Sequence, residues 1–333
     1  MSGTIQAVLF EHAADDASAT RVGAAARPHP RPGQVAISVT YAGVNFKDVM
    51  SRRGDRAYVS AWPHVPGVEV AGTVVEIGDG VADLAVGQSV VALTNDGGLA
   101  EVAVASAALT VPVPETLELD LAAAAPGALV TADLLLGFTH LDHGDSLLIH
   151  SAAGAVGHAT AQLARHAGAS LLVGTVGHGS RRQDALAHGY NEVVVRDAHL
   201  ASKVQRASEC GFDVILDPQG TTMLDVDLSA AAPGARIIIF GNAPGTTLEP
   251  LPNLPSLFES NISIGAFSLN ALSTTAPGRV RASIRRVLTL LDQQALSVPI
   301  TYLSSLDAVA DAQQALAEGR GTGKYIVRLG DRT

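Results

Sequence analysis

The sequence has one cysteine, few aromatic residues and no long apolar segment. A single thiol, Cys210, excludes an internal disulfide framework and any metal site built from several cysteines. Aromatic residues make up 4% of the 333 residues, so we predict an aliphatic core. No apolar run approaches the ~18 residues that span a membrane, and the first residues do not resemble a signal peptide. We therefore expect no membrane partner and a cytoplasmic location.

Positive charge is also scarce. The formal net charge is −10, and lysine occurs only at Lys47, Lys203 and Lys324. No cluster of Lys and Arg is large enough to neutralise a phosphate backbone, so we expect no nucleic-acid partner. The remaining composition, 47% hydrophobic and 16% charged, is that of a globular protein. The length is sufficient for two domains.

One stretch near the middle of the chain has the pattern of a nucleotide-binding turn. An apolar strand is followed by the small-residue pattern A-x-G-x-x-G and then by a helical run that ends at Gly168. The second small residue of this pattern lets a backbone approach a pyrophosphate. The third lets the helix pack close to the strand, with its positive N-terminus facing the phosphates. The residues assigned to this turn are Ser151, Ala152, Ala153, Gly154, Ala155, Val156 and Gly157.

Two features weaken this assignment. Ala152 replaces the usual first glycine and cannot adopt the backbone angles that are open only to glycine. Turns rich in Ala and Gly are also common in a chain that is rich in both. A purely structural junction between strand and helix is therefore the alternative.

The chain changes character along its length. Residues 1–120 are mainly β, and three strands separated by Gly and Pro, at 35–42, 68–78 and 88–93, favour a small, partly open barrel. Residues 147–265 alternate strand and helix, which predicts a doubly wound parallel sheet with its ligand at the carboxyl ends of the strands. The six strands are predicted at 147–150, 171–176, 193–195, 213–217, 236–240 and 262–266. Beyond them we predict helices at 279–294 and 306–318, a strand near 298–302, a turn at 319–324 and a last strand at 325–328.

The segment after the second strand of such a sheet distinguishes NAD from NADP. A carboxylate there binds the ribose 2′-hydroxyl of NAD, whereas basic or small residues admit the 2′-phosphate of NADP. Here the first downstream acid is Asp184, and small or basic residues precede it. The residues assigned to the 2′-phosphate are Gly177, Ser180, Arg181 and Arg182, with Arg196 beyond the next strand. We predict NADPH as the cofactor; the alternative is a solvated helix start whose arginines only aid solubility.

Five short motifs follow one another along the chain. They are Asn45-Phe46-x-Asp48, Pro66-Gly67-x-Glu69-x-x-Gly72, Gly87-x-x-Val90, Ser151-Ala152-Ala153-Gly154-x-x-Gly157 and Gly319-x-Gly321-x-Gly323-Lys324-x-Ile326-Val327. Their order and spacing resemble the zinc-independent medium-chain dehydrogenase/reductase superfamily, and within it the quinone oxidoreductase and enoyl reductase branch. The resemblance covers essentially the whole chain.

This resemblance implies an α/β subunit with two domains and an active site in the cleft between them. A discontinuous, mainly β, GroES-like barrel forms the catalytic domain, residues 1–121 and 266–333. A doubly wound dinucleotide domain, residues 122–265, is inserted within it. A homodimer that pairs the edges of the dinucleotide sheets is also expected.

The resemblance also argues against a metal. Zinc-dependent relatives have a Cys at the position of Asn45 and a His–Glu pair at the positions of Val68 and Glu69, and their structural lobe needs four further cysteines. With Cys210 as the only thiol, neither site can be assembled. The eleven histidines lie at spacings that suggest no shared ligand face. We predict no metal.

The resemblance assigns roles to a few further residues. By position, Asn45 and Thr131 should face the nicotinamide and the substrate; the alternatives are a helix cap and a bond back to the helix itself. Polyketide-type enoyl reductases carry a Tyr about eleven residues after the Asn, and Tyr58 lies two residues beyond that offset. Tyr58 is the candidate proton donor, with solvent as the alternative. The residues expected near the nicotinamide carboxamide are Phe240, Gly241 and Asn242.

The absence of a metal favours one class of substrate. A conjugated C=C is easier to reduce than a simple ketone, because hydride enters at the β carbon and the charge spreads into an enolate. We predict NADPH-dependent hydride transfer to a small-molecule electrophile: a quinone, an enone, or an enoyl thioester linked to a carrier or to CoA. The alternatives are a metal-free ketone reductase and a non-catalytic NADPH-binding protein.

Overall fold

The computed structural model describes residues 3–321 and 323–329 and divides into two compact units. The first unit contains the residues up to Val130 and those from Asn270 onward, and the second is Thr131–Leu269. The domain limits predicted from the sequence, 121/122 and 265/266, lie slightly earlier in the chain and stay predictions. Thr322, in the predicted closing turn, and the outermost residues of the predicted catalytic segments, 1–2 and 330–333, lie outside the described residues.

The secondary-structure elements occur in three groups along the chain. The first group is β1 (Thr4–Phe10), β2 (Thr20–Ala26), β3 (Gln34–Val44), α1 (Phe46–Arg52), β4 (Glu69–Ile77), β5 (Ser89–Leu93), β6 (Val102–Ser106), β7 (Thr110–Pro112) and α2 (Leu119–Ala123). The second group is α3 (Val130–Phe138), β8 (Ser146–Ile149), α4 (Ala155–His166), β9 (Leu171–Val176), α5 (Arg182–Ala187), β10 (Glu192–Val195), α6 (Leu200–Ala207), β11 (Phe212–Asp217), α7 (Leu224–Ala230), β12 (Ala231–Ile239), α8 (Leu254–Ser260) and β13 (Ser263–Ala266). The third group is α9 (Leu269–Thr275), α10 (Pro277–Asp292), β14 (Ile300–Leu303), α11 (Val309–Ala317) and β15 (Lys324–Arg328).

The first unit is built on a seven-stranded, mainly antiparallel sheet. Its order is β14-β15-β3-β4-β5-β7, with β6 also paired to β3, and β1 and β2 form a separate antiparallel pair. β3 is the longest strand, and its side chains Val35, Ile37 and Val39 are buried in the aliphatic core. The last strand, β15, pairs with the end of β3 so that Tyr325 is opposite Val44. This register brings residues near the C-terminus beside the start of α1.

The second unit is a six-stranded sheet in which every adjacent pair is parallel. Its order is β10-β9-β8-β11-β12-β13. Numbered within the unit, this is 3-2-1-4-5-6, the order of a doubly wound dinucleotide fold. The order in which successive strands are added to the sheet reverses between β8 and β11, and ligands of such sheets bind at the carboxyl ends of the strands at that point. The predicted doubly wound fold is confirmed for this unit. Among the described residues, no helix is long and apolar enough to cross a membrane.

Candidate functional site

The turn after β8 has the local geometry of a tight strand-to-helix junction. Ser151, with a φ of 62°, is its left-handed residue. The first small residue of the motif therefore does not need the glycine conformation, which explains why alanine is accepted there. Ala152 is fully buried, and a Cβ added at Gly174 on β9 would lie 2.4 Å from its methyl carbon. A larger residue at 152 would push β8 and β9 apart.

The two glycines of the turn have different physical roles. A Cβ at Gly157 would lie 2.3 Å from the carbonyl oxygen of Ala152, so only glycine allows α4 to pack this close. The Tyr190 hydroxyl donates to the Gly157 carbonyl at 2.7 Å and holds the first turn of α4 in place. A Cβ at Gly154 would meet nothing closer than the Ser151 carbonyl oxygen at 3.3 Å, so glycine here leaves an open surface over the turn.

The N-terminus of α4 can bind an anion at that open surface. Gly154 is the N-cap residue and supplies no side chain to the helix. The amides of the first turn have no acceptor within the helix, and the helix dipole gives this end partial positive charge. A phosphate group above Gly154 would satisfy both.

Two of the three predicted arginines contact the turn. Arg181 donates to the carbonyl oxygen of Ala153 at 2.7 Å and lies 3.2 Å from Asp184. Arg196 donates to the Ser151 hydroxyl at 3.3 Å, and burial lowers the pKa of its guanidinium. Arg182, in contrast, donates to the carbonyl oxygen of Val193, the second residue of β10. Arg181 and Arg196 thus lie beside the turn, whereas Arg182 binds the backbone of β10.

The other residues assigned to the cofactor occupy strand ends. Gly177 and Ser180 are exposed beyond the end of β9. Phe240 follows β12, where its amide donates to the carbonyl oxygen of Asp217 at 2.8 Å. Gly241 lies against Pro218, and the Asn242 side chain donates to the Thr246 carbonyl at 2.7 Å. All five lie at the carboxyl edge of the parallel sheet.

A buried polar network lies directly below the turn. His150 shares hydrogen bonds with Thr175 and with Asp227, both at 2.8 Å. Asp217 accepts from the Gln219 amide at 2.6 Å, and Gln219 in turn donates to the Ser151 hydroxyl at 2.8 Å. Burial, followed by the negative charge of Asp227, raises the pKa of Asp217 to about 7. The turn is therefore connected through Ser151 and Gln219 to a group that can exchange a proton near neutral pH.

The first unit holds Asn45 in a compact ionic cluster. The Asn45 amide nitrogen donates to Glu69 Oε1 at 2.7 Å and to the Gly43 carbonyl at 3.3 Å. Its oxygen accepts from Lys324 Nζ at 2.7 Å, and Lys324 and Glu69 form a buried ion pair. Both side-chain donors of Asn45 are thus engaged, and its oxygen retains one lone pair. Sequence reasoning missed Lys324, although its place in the closing motif was a signal.

Glycines surround the Glu69 carboxylate on two sides. A Cβ at Gly43 would lie 2.3 Å from its Oε1, and one at Gly127 would lie 2.9 Å from both oxygens. The Gly127 amide also donates to Glu69 Oε2 at 2.6 Å. Gly127 belongs to a π-helical turn over Ala125–Leu129. The glycines therefore let backbone enclose the carboxylate and exclude water from the pair.

The start of α1 is capped by Asp48, the acidic residue three positions after Asn45. Asp48 accepts from the Asn45 amide at 2.7 Å and from the Gly67 amide at 3.1 Å. Burial raises the pKa of this carboxyl to about 6, against the opposing effect of these hydrogen bonds and of Lys324 and Lys47. Asp48 fixes the backbone at Asn45 and leaves the amide side chain to the cluster with Glu69 and Lys324.

The candidate proton donor lies in the loop after α1. Tyr58 is half-buried, and burial raises the pKa of its hydroxyl, which keeps the phenol protonated. Lys47 Nζ lies 5.3 Å from the centre of the Tyr58 ring. Lys47 also donates to Asn270 Oδ1 at 3.3 Å and to the Asn95 carbonyl. Burial lowers the pKa of Lys47. The contact between Lys47 and Tyr58 was not predicted from the sequence.

A cavity of about 410 Å³ adjoins the same loop. It lies within the first unit, and its volume is in the range of small-molecule sites. The lining residues are Ala13, Gly54, Arg56, Val59, Ser60 and Trp62.

Thr131, the remaining predicted catalytic residue, is half-buried in the first turn of α3.

Two family profiles match the chain. Residues 31–115 match the alcohol dehydrogenase GroES-like domain, and residues 155–289 match the domain described as zinc-binding dehydrogenase. These matches, together with the folds of the two units, identify the family. The chain belongs to the medium-chain dehydrogenase/reductase superfamily. Members of this superfamily are oxidoreductases, so the predicted class of protein is confirmed at that level.

Relatives within the superfamily carry different names. The mouse synaptic vesicle membrane protein VAT-1 homolog-like is 29% identical over 324 residues, which cover 92% of this chain and 77% of that protein. The spectinabilin polyketide synthase system protein NorB of Streptomyces orinoci is 32% identical over 306 residues, covering 90% of this chain but 13% of the synthase protein. The predicted cytoplasmic location stays a prediction.

Solved structures of the superfamily align along nearly the whole chain. A mycobacterial protein complexed with NADPH aligns with a TM-score of 0.88 at 25% identity, covering 98% of this chain and all of that chain. A quinone oxidoreductase of Pseudomonas syringae pv. Tomato aligns with a TM-score of 0.86 at 26% identity, with the same coverage. These alignments support the assignment of both units to the superfamily fold.

Proposed function

We propose that this protein is an NADPH-dependent oxidoreductase that transfers hydride to the β carbon of an activated C=C, without a catalytic metal. The acceptor is a quinone, an enone or an enoyl thioester. The observation that carries the proposal is the open turn at Gly154 with Arg181 and Arg196 beside it. The structural relative complexed with NADPH supports the same cofactor.

The residues at the turn fit a phosphorylated dinucleotide. The first-turn amides of α4 would hold the pyrophosphate over Gly154, where a Cβ would otherwise intrude on the open surface. Arg181, with exposed Ser180 beside it, would bind the 2′-phosphate, and Arg196 would lie over Gly177 and Ser151. When bound, NADPH supplies the hydride. The chain itself binds and orients the dinucleotide.

The donor atoms around Asn45 are unsuited to a catalytic zinc ion. Zinc sites use thiolate, imidazole and carboxylate ligands. The groups here are an amide, a carboxylate already neutralised by an ammonium, and the ammonium of Lys324 itself. A cation beside Glu69 would be repelled by Lys324. Metal-assisted polarisation of a carbonyl is therefore not part of the proposal.

The cluster also limits what Asn45 can do. Because both its amide hydrogens are engaged, Asn45 cannot donate to a developing enolate. Its oxygen has one lone pair left and can accept from a hydroxyl or an amide of a bound molecule. We therefore assign Asn45 to orientation and not to stabilisation of the substrate oxygen.

Tyr58 is the proposed proton donor to the α carbon. Its raised pKa keeps the proton on the phenol until an enolate forms. The adjacent Lys47 cation favours the phenolate that remains after transfer. If Tyr58→Phe leaves kcat and its solvent isotope effect unchanged, solvent is the donor and this assignment is wrong.

A panel of acceptors tests the proposed function. The purified chain, treated with chelator, should oxidise NADPH with quinones and enones, or with crotonyl-type thioesters, and should not do so with saturated ketones. The polyketide synthase relative makes the thioester class the one to include from the start. Turnover only with saturated ketones would support a ketone reductase, and NADPH binding without any turnover would support a binding protein.

A further inference from the structure

Two histidines and an aspartate converge in the second unit beside α4 and α5. His158 is in the first turn of α4, Asp184 is in α5, and His188 directly follows α5. One ligand atom of each lies within 4.8 Å of those of the other two. Among the residues that the structure describes, no other group of three His, Cys, Asp or Glu meets this distance criterion. The expectation that the histidines share no ligand face therefore fails at this point.

His158 is buried without a hydrogen-bonding partner. Its residue is 2% exposed, and neither ring nitrogen has a hydrogen bond. A buried polar group left without a partner is costly in free energy and calls for an explanation. A neutral imidazole nitrogen is the form in which histidine binds a metal.

His188 is oriented so that its outer nitrogen is a lone-pair donor. Its Nδ1 lies 2.6 Å from the carbonyl oxygen of Asp184, which can only accept, so Nδ1 carries the proton and Nε2 the lone pair. Metal-binding histidines commonly donate their second nitrogen to a backbone carbonyl in this way. The side chains of His188 and Asp184 are partly exposed, which gives an ion access from solvent.

A small rearrangement would complete a tetrahedral site. The two imidazole rings are stacked, 3.7 Å apart and within 8° of parallel. Ligand atoms on one tetrahedral zinc ion lie about 3.4 Å from each other, given metal–nitrogen bonds of ~2.0–2.1 Å. His158 is the ring that can turn, because it has no hydrogen bond to lose.

The charges around the cluster select the kind of ion. Asp184 is the one carboxylate, and the Arg181 guanidinium lies 3.2 Å from it. Two imidazoles and a single, shared carboxylate disfavour Ca²⁺ and Mg²⁺, which prefer several oxygen ligands. They suit an ion that binds nitrogen strongly.

We propose that His158, Asp184 and His188 bind a divalent transition metal of the Zn²⁺ class, with water as the fourth ligand. This site is separate from the Asn45 cluster and does not depend on the proposed function. The ion would be structural or regulatory, since Asp184 also pairs with Arg181 beside the turn.

Metal titration of the full chain tests this site. A Cys210→Ser background, stripped with chelator, should bind one Zn²⁺ per chain by calorimetry, and Co²⁺ should give the visible absorption of a tetrahedral site. His158→Leu and His188→Leu should each weaken Zn²⁺ binding at least about tenfold and abolish the Co²⁺ band. His166→Ala, which removes an exposed histidine from the same helix, should change neither.

Asp184 is half-exposed, so a substitution there does not disturb the packing of the core. Asp184→Asn should weaken binding while circular dichroism and the melting temperature stay near those of the parent. The proposal would be overturned if the parent does not bind Zn²⁺. It would also be overturned if His158→Leu and Asp184→Asn both bind Zn²⁺ as tightly as the parent does.

Discussion

Arg181 and Arg182 are adjacent in sequence but have different partners. Arg181 donates to the Ala153 carbonyl in the turn, whereas Arg182 donates to the Val193 carbonyl within β10. The sequence predicted both as ligands of the 2′-phosphate, because a run of basic residues does not reveal which side chain points back to the turn. The structure therefore distinguishes the two arginines by their hydrogen-bond partners, which the sequence does not reveal.

Arg181→Ala should reduce selectivity for NADPH. Loss of a charged hydrogen-bond donor to a phosphate should cost about 1.5–3 kcal/mol, or roughly ten- to a hundredfold in Kd for NADPH, with little effect on NADH. Fluorescence titration with both nucleotides measures this, and exposed Arg206 on α6, changed to Ala, is the matched control. An unchanged NADPH/NADH ratio in Arg181→Ala would show that this arginine does not contact the 2′-phosphate.

Asp217 should make stability depend on pH. Its pKa is raised to about 7 in the folded chain, against ~3.9 in the unfolded chain, so the folded state binds the proton more tightly. This contribution to the free energy of unfolding is complete below about pH 4 and is lost as pH rises to about 7. Asp217→Asn should therefore gain stability relative to the parent as pH rises through that window.

Urea unfolding at several pH values measures this difference. The relative gain should reach the order of a few kcal/mol at most, because each pKa unit corresponds to about 1.4 kcal/mol. Asp225→Asn, which removes an exposed carboxylate from the nearby helix α7, controls for the loss of one charge. A difference between Asp217→Asn and the parent that stays constant from pH 4 to pH 8 would contradict the assignment.

The β8–turn–α4 junction is the element that would hold the pyrophosphate of the cofactor. Gly154 and Gly157 occupy the same motif, yet one leaves an open surface and the other permits a close approach of backbone. Their substitutions should therefore have different consequences, which a purely structural junction would not produce.

Gly157→Ala should lower stability, whereas Gly154→Ala should lower affinity. The added methyl at 157 would lie 2.3 Å from the Ala152 carbonyl, so α4 must shift, at a cost of about 1–3 kcal/mol. The methyl at 154 meets nothing closer than 3.3 Å and would instead occupy the proposed pyrophosphate surface. Thermal melting and NADPH titration of both variants separate the two effects. Equal NADPH affinity in Gly154→Ala and the parent would favour a structural junction.

Most of the parallel sheet could be predicted from the sequence. Its strands are short apolar runs between helices, and they lie within a few residues of the observed bounds, except that β12 begins at Ala231, earlier than predicted. The pair β1 and β2, and the short strands β6 and β7, were missed. β2 is rich in Ala and Gly, which have low strand propensity, and its place is set by pairing with β1.

The cluster around Asn45 was harder to predict. Asn45, Glu69 and Lys324 come from three distant motifs, and only the pairing of β15 with β3 brings Lys324 to Asn45. The same holds for His158 and His188, whose separation in sequence conceals a stacked pair. Linear spacing cannot reveal contacts that depend on strand register or on helix packing.

At the scale of the whole molecule, the homodimer is still a prediction. β13 is an end strand of the six-stranded sheet, and the segment before it exposes four large apolar side chains. They are Leu248, Leu251, Leu254 and Phe258. An end strand beside exposed apolar residues is typical of a surface that another copy covers.

Phe258→Asp should convert a dimer into a monomer. Light scattering after size-exclusion chromatography measures the mass, and Val86→Asp, at another exposed apolar residue, is the matched control. A parent chain that is already monomeric, or a dimer unaffected by Phe258→Asp, would contradict a dimer formed through this segment.

In the proposed reaction, hydride goes to an activated carbon and no metal polarises a carbonyl. The most direct test is the position of deuterium in the product, after an enone is reduced with NADPH that carries deuterium at the transferring position, in the presence of chelator. The proposal predicts a saturated ketone with deuterium at the β carbon, visible by NMR. An allylic alcohol with deuterium on the carbinol carbon would contradict it.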